Sequence, residues 1–164
     1  MILSDTNILS TFAKIDRLSL LLQLFERAKI GAVPAVYEEL QEGVSSGYVA
    51  LQAAIALIQQ GQIALLVPTA QEIFEKDALP DSFNAGERET LTVAKSRRYP
   101  ILTNETHVKN WCKRAGIGYW DLPGVLRALW RTNQLTKEQA QGLIEQIETK
   151  DRIVFRNKEQ IFQE

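Results

Sequence analysis

The chain alternates short apolar runs with longer stretches in which apolar residues recur at helical spacing. The short runs are typical of buried strands, and the longer stretches are typical of amphipathic helices. The runs predict strands at residues 2–3, 30–33, 63–67, 101–103 and 117–120. Because strands that alternate with helices usually form parallel sheets, this pattern predicts an α/β fold with a central parallel sheet.

Helical spacing fills most of the chain between these runs. It predicts helices at residues 8–15, 18–25, 34–40, 48–60, 86–98, 106–115, 122–130 and 136–147. Pro34 suits the first turn of its helix, and the stretch from Gly43 to Gly47 is expected to break it. Residues 78–85 are expected to form a loop, and residues 152–155 a small edge strand.

Composition restricts the class of protein. The 164 residues fit one domain that can bury a sizeable core. The single cysteine, Cys112, excludes an internal disulfide and suits a reducing cytoplasm. No apolar run approaches the roughly 20 residues that cross a bilayer, and the first residues lack the basic start of a signal peptide. We therefore expect a cytoplasmic protein that does not enter a membrane.

Charge is uneven along the chain, although the net charge is only −1. Residues 71–89 contain six acids and two bases, whereas residues 95–114 contain six bases and one acid, Glu105. The six bases could hold phosphates, or they could be ordinary solvated helix faces: Lys95, Arg97, Arg98, Lys109, Lys113 and Arg114.

Four acids stand after predicted strands or near the start of helices: Asp5, Glu39, Glu87 and Glu105. Ligands bind open parallel sheets in the crevice outside the carboxyl ends of the strands, so these side chains could converge there. Hard divalent cations take oxygen ligands, and two such ions can promote phosphodiester hydrolysis. Each acid alone could simply cap or face a helix N-terminus. The interpretation as a metal site therefore depends on the order of all four acids along the chain.

That order resembles the PIN-domain family, which includes the VapC-type toxin ribonucleases. The opening "SDTNIL", then "VPAVYEEL", "AGERETLTVA" and "ILTNE" resemble the family's four acidic motifs. The stretch "AGIGYWDLPGVLRAL" resembles its usual ending, and "LTKEQAQGLIEQI" is closest to an uncharacterised PIN-like nucleic-acid-binding group. The resemblance implies a three-layer α/β/α sandwich, with a PIN-like nuclease domain over residues 1–130. Residues 131–164 would be a C-terminal helical extension packed on the same domain.

The resemblance also implies a function. It makes Asp5, Glu39, Glu87 and Glu105 both the catalytic residues and the ligands of Mg²⁺ or Mn²⁺ in an endoribonuclease that hydrolyses RNA. Supporting residues would orient these carboxylates: Thr6, Asn7, Thr103 and Asn104. Such a protein could be the toxin of a toxin–antitoxin pair, with an antitoxin protein as partner and a homodimer as a possible assembly.

One departure leaves a second function open. The family's fourth motif usually ends in Asp, and here Glu105 stands at that place, or the neutral Asn104 in another alignment. The alternative is a degenerate PIN-like domain that binds nucleic acid or a protein without cleavage. A phosphatase with Asp5 as nucleophile would need a second acid two residues on, where Asn7 stands. His107 and Cys112 have no partner recognisable from sequence, and we assign them no function.

Overall fold

Five short strands form in the computed structural model, which describes residues 1–163. They are β1 (Ile2–Ser4), β2 (Ile30–Ala32), β3 (Ala64–Leu65), β4 (Ile101–Leu102) and β5 (Tyr119–Trp120). All pair in parallel, in the order β3-β2-β1-β4-β5. Leu3 lies opposite both Gly31 and Ile101, so β1 is the central strand. The predicted α/β fold with a parallel sheet is confirmed.

Ten α-helices flank this sheet within the described residues. Those that follow the first two strands are α1 (Thr6–Lys14), α2 (Leu18–Leu24), α3 (Pro34–Ser45) and α4 (Gln52–Gln59), with a 3₁₀ turn at Val49–Leu51. Those that follow β3 and β4 are α5 (Ala70–Lys76), α6 (Ala85–Arg97) and α7 (Thr106–Ala115). The remaining three are α8 (Leu122–Arg131), α9 (Lys137–Lys150) and α10 (Lys158–Ile161).

The strands are buried on both faces. Ile2 and Leu3 are at most 1% exposed, and so are Ile101 and Leu102. Successive residues of a strand point to opposite faces, so burial of both neighbours requires a helical layer on each side. The structure is therefore the three-layer α/β/α sandwich that the resemblance implies.

The direction of the helices decides which residues reach which edge of the sheet. In parallel βα units the helix runs back against the strand before the next strand begins. The helices α1, α3, α7 and α8, each of which directly follows a strand, therefore start at the carboxyl edge. By the same reasoning α6, which precedes β4, ends at the opposite edge.

One local prediction is wrong. Residues 152–155 form no strand and instead cross the surface without regular structure. The predicted break between Gly43 and Gly47 is confirmed, because α3 ends at Ser45. A Cβ at Gly43 would lie 2.5 Å from Leu51 Cδ1, so this glycine lets the 3₁₀ turn pack closely against α3.

The helices after α8 pack back onto the same core. Leu143, Ile144 and Ile147 of α9 are buried in one cluster with the sandwich, together with Phe155 and Ile161. The last residue, Glu164, lies outside the described residues. Within residues 1–163, no helix is both long enough and apolar enough to span a bilayer.

Candidate metal centre at the carboxyl edge

The four acids reach one edge of the sheet from separate elements. Asp5 directly follows β1 and is the N-cap of α1, and Glu105 occupies the same position before α7. Glu39 lies in the second turn of α3, the helix that follows β2. Glu87 lies in the first turn of α6, where it forms a capping box with Asn84. Three acids thus reach the carboxyl edge through strand-to-helix connections, and Glu87 reaches it at the start of a helix.

Direct contacts show that these acids meet. Glu39 accepts hydrogen bonds from the Gly86 amide, at 2.9 Å, and from the Thr6 hydroxyl. Glu105 Oε1 accepts one from the Asn7 side chain, and Asn7 is two residues from Asp5. A small cavity of about 60 Å³ is lined by Asp5, Glu39 and Glu87, with Thr6, Asn7 and Asn84. Three of the four predicted acids therefore line one cleft, and Glu105 contacts its edge through Asn7.

Asp5 is the most perturbed acid of the cluster. Its Oδ1 accepts the Ile8 amide at 2.9 Å, whereas its buried Oδ2 has no hydrogen-bond partner among the described residues. Burial raises the pKa of Asp5 to about 7, and the charges of Glu105 and Glu87 add to the rise. The Thr103 hydroxyl and the Ile8 amide oppose it only in part. A cation beside Oδ2 would remove this electrostatic cost.

His107 belongs to this cluster, and sequence reasoning missed it. Its Nε2 lies 2.9 Å from Glu87 Oε2, and its Nδ1 lies 4.0 Å from Glu105 Oε2. The ring stacks on Phe83 at a centroid distance of 5.4 Å, which fixes its plane. One ligand atom each of Glu87, Glu105 and His107 lies within 4.8 Å of the other two. The first turn of α7 places Glu105 and His107 together, and only the fold brings Glu87 to them.

The expected supporting residues divide into two kinds. Thr6 and Asn7 contact Glu39 and Glu105 directly, as described above. Thr103 is fully buried, and its hydroxyl accepts the Glu105 amide at 3.2 Å. Asn104 points away from the acids, since its Oδ1 accepts the Leu122 amide at 3.4 Å. The side chain at position 105 therefore reaches the cluster, whereas the one at position 104 contacts α8.

Gly86 also positions the site, and no sequence signal marked it. A Cβ at Gly86 would lie 2.6–2.8 Å from the carboxylate atoms of Glu39. Real atoms do not approach so closely. A glycine therefore lets the start of α6 approach α3, and its amide holds Glu39 in the cleft.

Most of the basic residues lie away from this cleft. Arg97 and Arg98 end α6, and Lys113 and Arg114 end α7, so all four lie toward the opposite edge of the sheet. Arg97 is moreover paired with Glu72 at 2.9 Å. Of the two interpretations of the basic residues, phosphate binding beside the acids is therefore wrong for these four. Lys109, about one turn nearer the start of α7, faces the carboxyl edge and contacts Asp121 at 3.4 Å.

The donor atoms suit a hard divalent cation. Asp5 Oδ2 has no partner, and the hydrogen bonds of Glu87 and Glu105 occupy only one oxygen of each carboxylate. Carboxylate oxygens are the preferred ligands of Mg²⁺ and Mn²⁺. Within residues 1–163, no lysine or arginine forms an ion pair with Asp5, Glu39, Glu87 or Glu105. The residues fit a cation that would balance their charge.

This arrangement is a three-layer α/β/α sandwich with an acidic cleft at the carboxyl edge of its parallel sheet. The DUF3368 family, described as a PIN domain, matches the chain over residues 1–164. The chain therefore belongs to the PIN-domain family, as its motifs indicate. No curated protein is significantly similar to it.

Proposed function

We propose that this chain is a metal-dependent endoribonuclease that hydrolyses RNA phosphodiester bonds in the cytoplasm. Asp5, Glu39, Glu87 and Glu105 would bind Mg²⁺ or Mn²⁺. The observation that carries the proposal is the unpartnered, buried Oδ2 of Asp5 among three further acids. Membership of the PIN family supports the same chemistry. Uncompensated buried charge is costly for folding, so its presence favours a functional role.

The chain's own residues would act by holding the carboxylates in place. Thr6 and the Gly86 amide orient Glu39, Asn7 orients Glu105, and His107 orients Glu87. Such contacts commonly tune metal affinity or activity by about 10- to 100-fold. A bound divalent cation would supply the chemistry: it activates water at neutral pH and neutralises charge on the scissile phosphate.

The direct test is RNA cleavage by the purified parent and by Asp5→Asn, with Mn²⁺, with Mg²⁺ and with EDTA. Asparagine caps a helix about as well as aspartate, so the variant should fold while it loses the ligand charge. We expect at least a 100-fold lower rate for Asp5→Asn and no cleavage in EDTA.

The matched control is Asp16→Asn. Asp16 is exposed and has a positive φ of 55°, a conformation that asparagine tolerates. This variant should cleave at the parent rate. Cleavage that survives in Asp5→Asn, purified in the same way, would show that the acids are not the active site.

The alternative is a PIN-like domain that binds nucleic acid or a protein without cleavage. Glu105 at a position usually held by Asp favours it, because the longer side chain shifts where a cation would sit. Against it, Asn7 holds the Glu105 carboxylate within the cluster. Metal-dependent binding of RNA without cleavage by the parent would select the alternative.

A role as the toxin of a toxin–antitoxin pair is the finer part of the proposal and rests on the family resemblance. It predicts a short neighbouring gene whose product binds DNA and forms a complex with this chain. Co-expression should then suppress the cleavage of RNA. Unchanged cleavage in the presence of that product would remove the toxin role and leave the ribonuclease proposal intact.

A further inference from the structure

The C-terminal segment forms one wall of a cleft beside the acidic centre. The cleft has a volume of about 640 Å³ and lies between residues 153–161 and the first turns of α7 and α8. Asn104 and Thr106 line it, and these two residues flank Glu105 in sequence. The cleft and the acids therefore lie at the same edge of the sheet, where α7 and α8 begin.

The charge of this cleft is positive, whereas that of the acidic centre is negative. The cleft is lined by three bases, Lys109, Arg127 and Arg156, and by one acid, Asp121. Asp121 is already engaged, since Oδ1 accepts the Gly124 amide at 3.0 Å and Oδ2 contacts Lys109 at 3.4 Å. Arg156 is exposed and forms no ion pair with any residue of the range 1–163. The Nε of Arg127 is buried with no acceptor among the described residues. Within residues 1–163, Arg127 and Arg156 therefore have no anionic partner in the cleft, whereas Lys109 has Asp121.

The wall is held firmly in place. Phe155 and Ile161 are buried in the core, at 8% and 2% exposure. The side chains of Trp130 and Arg127 donate to the carbonyls of Ile161 and Gln160. Along this wall, the amides of residues 153, 154 and 156 make no hydrogen bond within residues 1–163. The segment therefore presents unused donors as well as Arg156 along one side of a fixed cleft.

We propose that this cleft binds the phosphate backbone of single-stranded RNA next to the scissile bond. The inference rests on the proposed ribonuclease function. A strand whose reacting phosphate lies at the acids must leave the centre, and this cleft offers cations and amide donors at the same edge of the sheet. Phosphate contacts of this kind position a strand without reading its sequence. The volume is in the range that encloses a small ligand rather than a duplex.

The test measures binding separately from cleavage. A fluorescein-labelled single-stranded oligoribonucleotide is titrated in EDTA with proteins that carry Asp5→Asn, and anisotropy is read across a salt series. Arg156→Gln and Lys109→Gln should each weaken binding about three- to tenfold at low salt. Each should also reduce the slope of log affinity against log salt by about 0.7, the value for one phosphate contact on a single strand. Arg127 is left unchanged because it also holds the wall.

Lys95→Gln is the matched control. Lys95 is exposed and lines a different cavity, of about 480 Å³, with Tyr99, Pro100 and Gly116 at the opposite edge of the sheet. Its loss should change affinity by less than twofold. In the otherwise unmodified chain, Arg156→Gln should raise KM with little change in kcat.

The outcomes separate this inference from the proposed function. Weaker binding by Arg156→Gln without cleavage by the parent would support the cleft and remove the ribonuclease. Normal cleavage by the parent, with affinity and KM unchanged in Arg156→Gln, would overturn the cleft and keep the ribonuclease. Equal competition by polyglutamate of the same charge would show a general surface for acidic proteins, and would overturn the assignment to RNA.

Discussion

Glu72 and Asp5 are both buried acids at helix N-termini, yet their surroundings differ in one respect. Glu72 faces a guanidinium: Arg97 donates to its two oxygens at 2.9 Å, and this lowers the pKa of Glu72 to about 2. Asp5 faces other carboxylates, and burial raises its pKa to about 7. Glu89 follows the first pattern, with Lys76 at 3.2 Å and the Ala35 amide at 3.0 Å.

The presence or absence of a neighbouring base therefore separates two kinds of buried acid in this chain. Where a base reaches a buried carboxylate, the pair is complete within the chain. At the carboxyl edge, the helices present their N-termini and their acids, while most bases lie at the other end of the same helices. Within residues 1–163, no lysine or arginine balances the charge of these acids, and we propose that a bound cation does so.

The largest expected effect is that of Gly86→Ala, which attacks the acidic centre through Glu39. The new methyl would occupy the space of the Glu39 carboxylate and displace it. Misplacement of about 1 Å can cost on the order of 100-fold in rate. We expect that loss in RNA cleavage and about a tenfold loss in Mn²⁺ affinity, with the free energy of unfolding within about 1 kcal/mol of the parent.

Gly142→Ala provides the control for this change. A Cβ at Gly142, in α9, meets no atom within 4 Å. It should stabilise the protein by about 1 kcal/mol through helix propensity and leave cleavage unchanged. Parent-like activity in Gly86→Ala would mean that the position of Glu39 does not matter to the site.

The second-largest expected effect concerns Glu72, the buried acid that is paired with Arg97. Glu72→Gln should lower the free energy of unfolding by about 2 to 3 kcal/mol, because it leaves the Arg97 guanidinium without its partner. Urea denaturation measures it, with Glu75→Gln as the control on an exposed face of the same helix. A loss no larger than that of the control would show that the pair does not stabilise the fold.

The same pair predicts a pH dependence. The folded-state pKa of Glu72, about 2, lies below the ordinary value of 4.5. The stability from this pair is therefore complete above about pH 5 and is lost as the pH falls toward 2. The stability difference between the parent and Glu72→Gln should shrink over that range. A constant difference between pH 5 and pH 2.5 would contradict the assignment.

The smallest expected effect is the contribution of Asp5 to stability, and its pH dependence is opposite to that of Glu72. The pKa of Asp5 is raised, so its protonated form favours folding; that stability is present below about pH 4 and is lost as the pH rises through 7. In EDTA at pH 8, Asp5→Asn should therefore be more stable than the parent by about 1 to 2 kcal/mol. Near pH 4 the two should converge. A variant less stable than the parent at pH 8 would show that Asp5 serves the fold alone.

Much of the acidic centre is predictable because it depends on local position. A residue directly after a parallel strand must lie at the carboxyl edge, and this rule places Asp5 and Glu105 without a structure. Residues 152–155 are apolar enough for a strand, yet β3 and β5 already form the edges of the sheet and this segment packs beside α8 instead. Whether an apolar run joins a sheet depends on contacts that its own sequence does not contain.

The missed residues have non-local partners or weak local signals. His107 and Gly86 act on Glu87 and Glu39, which lie 20 and 47 residues away in the chain. The apolar spacing assigned no helix to residues 70–76, where the structure has α5. Its capping box of Thr69 and Glu72 was a local signal that could have predicted it.

The account depends most directly on whether the acids at the carboxyl edge bind a divalent cation. Calorimetric titration of the metal-free protein with MnCl₂ at pH 8, where Asp5 is ionised, measures this without reference to catalysis. We predict saturable binding by the parent and by Asp16→Asn, and a Kd at least tenfold weaker for Asp5→Asn. A parent that binds no Mn²⁺, or an Asp5→Asn variant that binds it with the parent's affinity, would contradict the account.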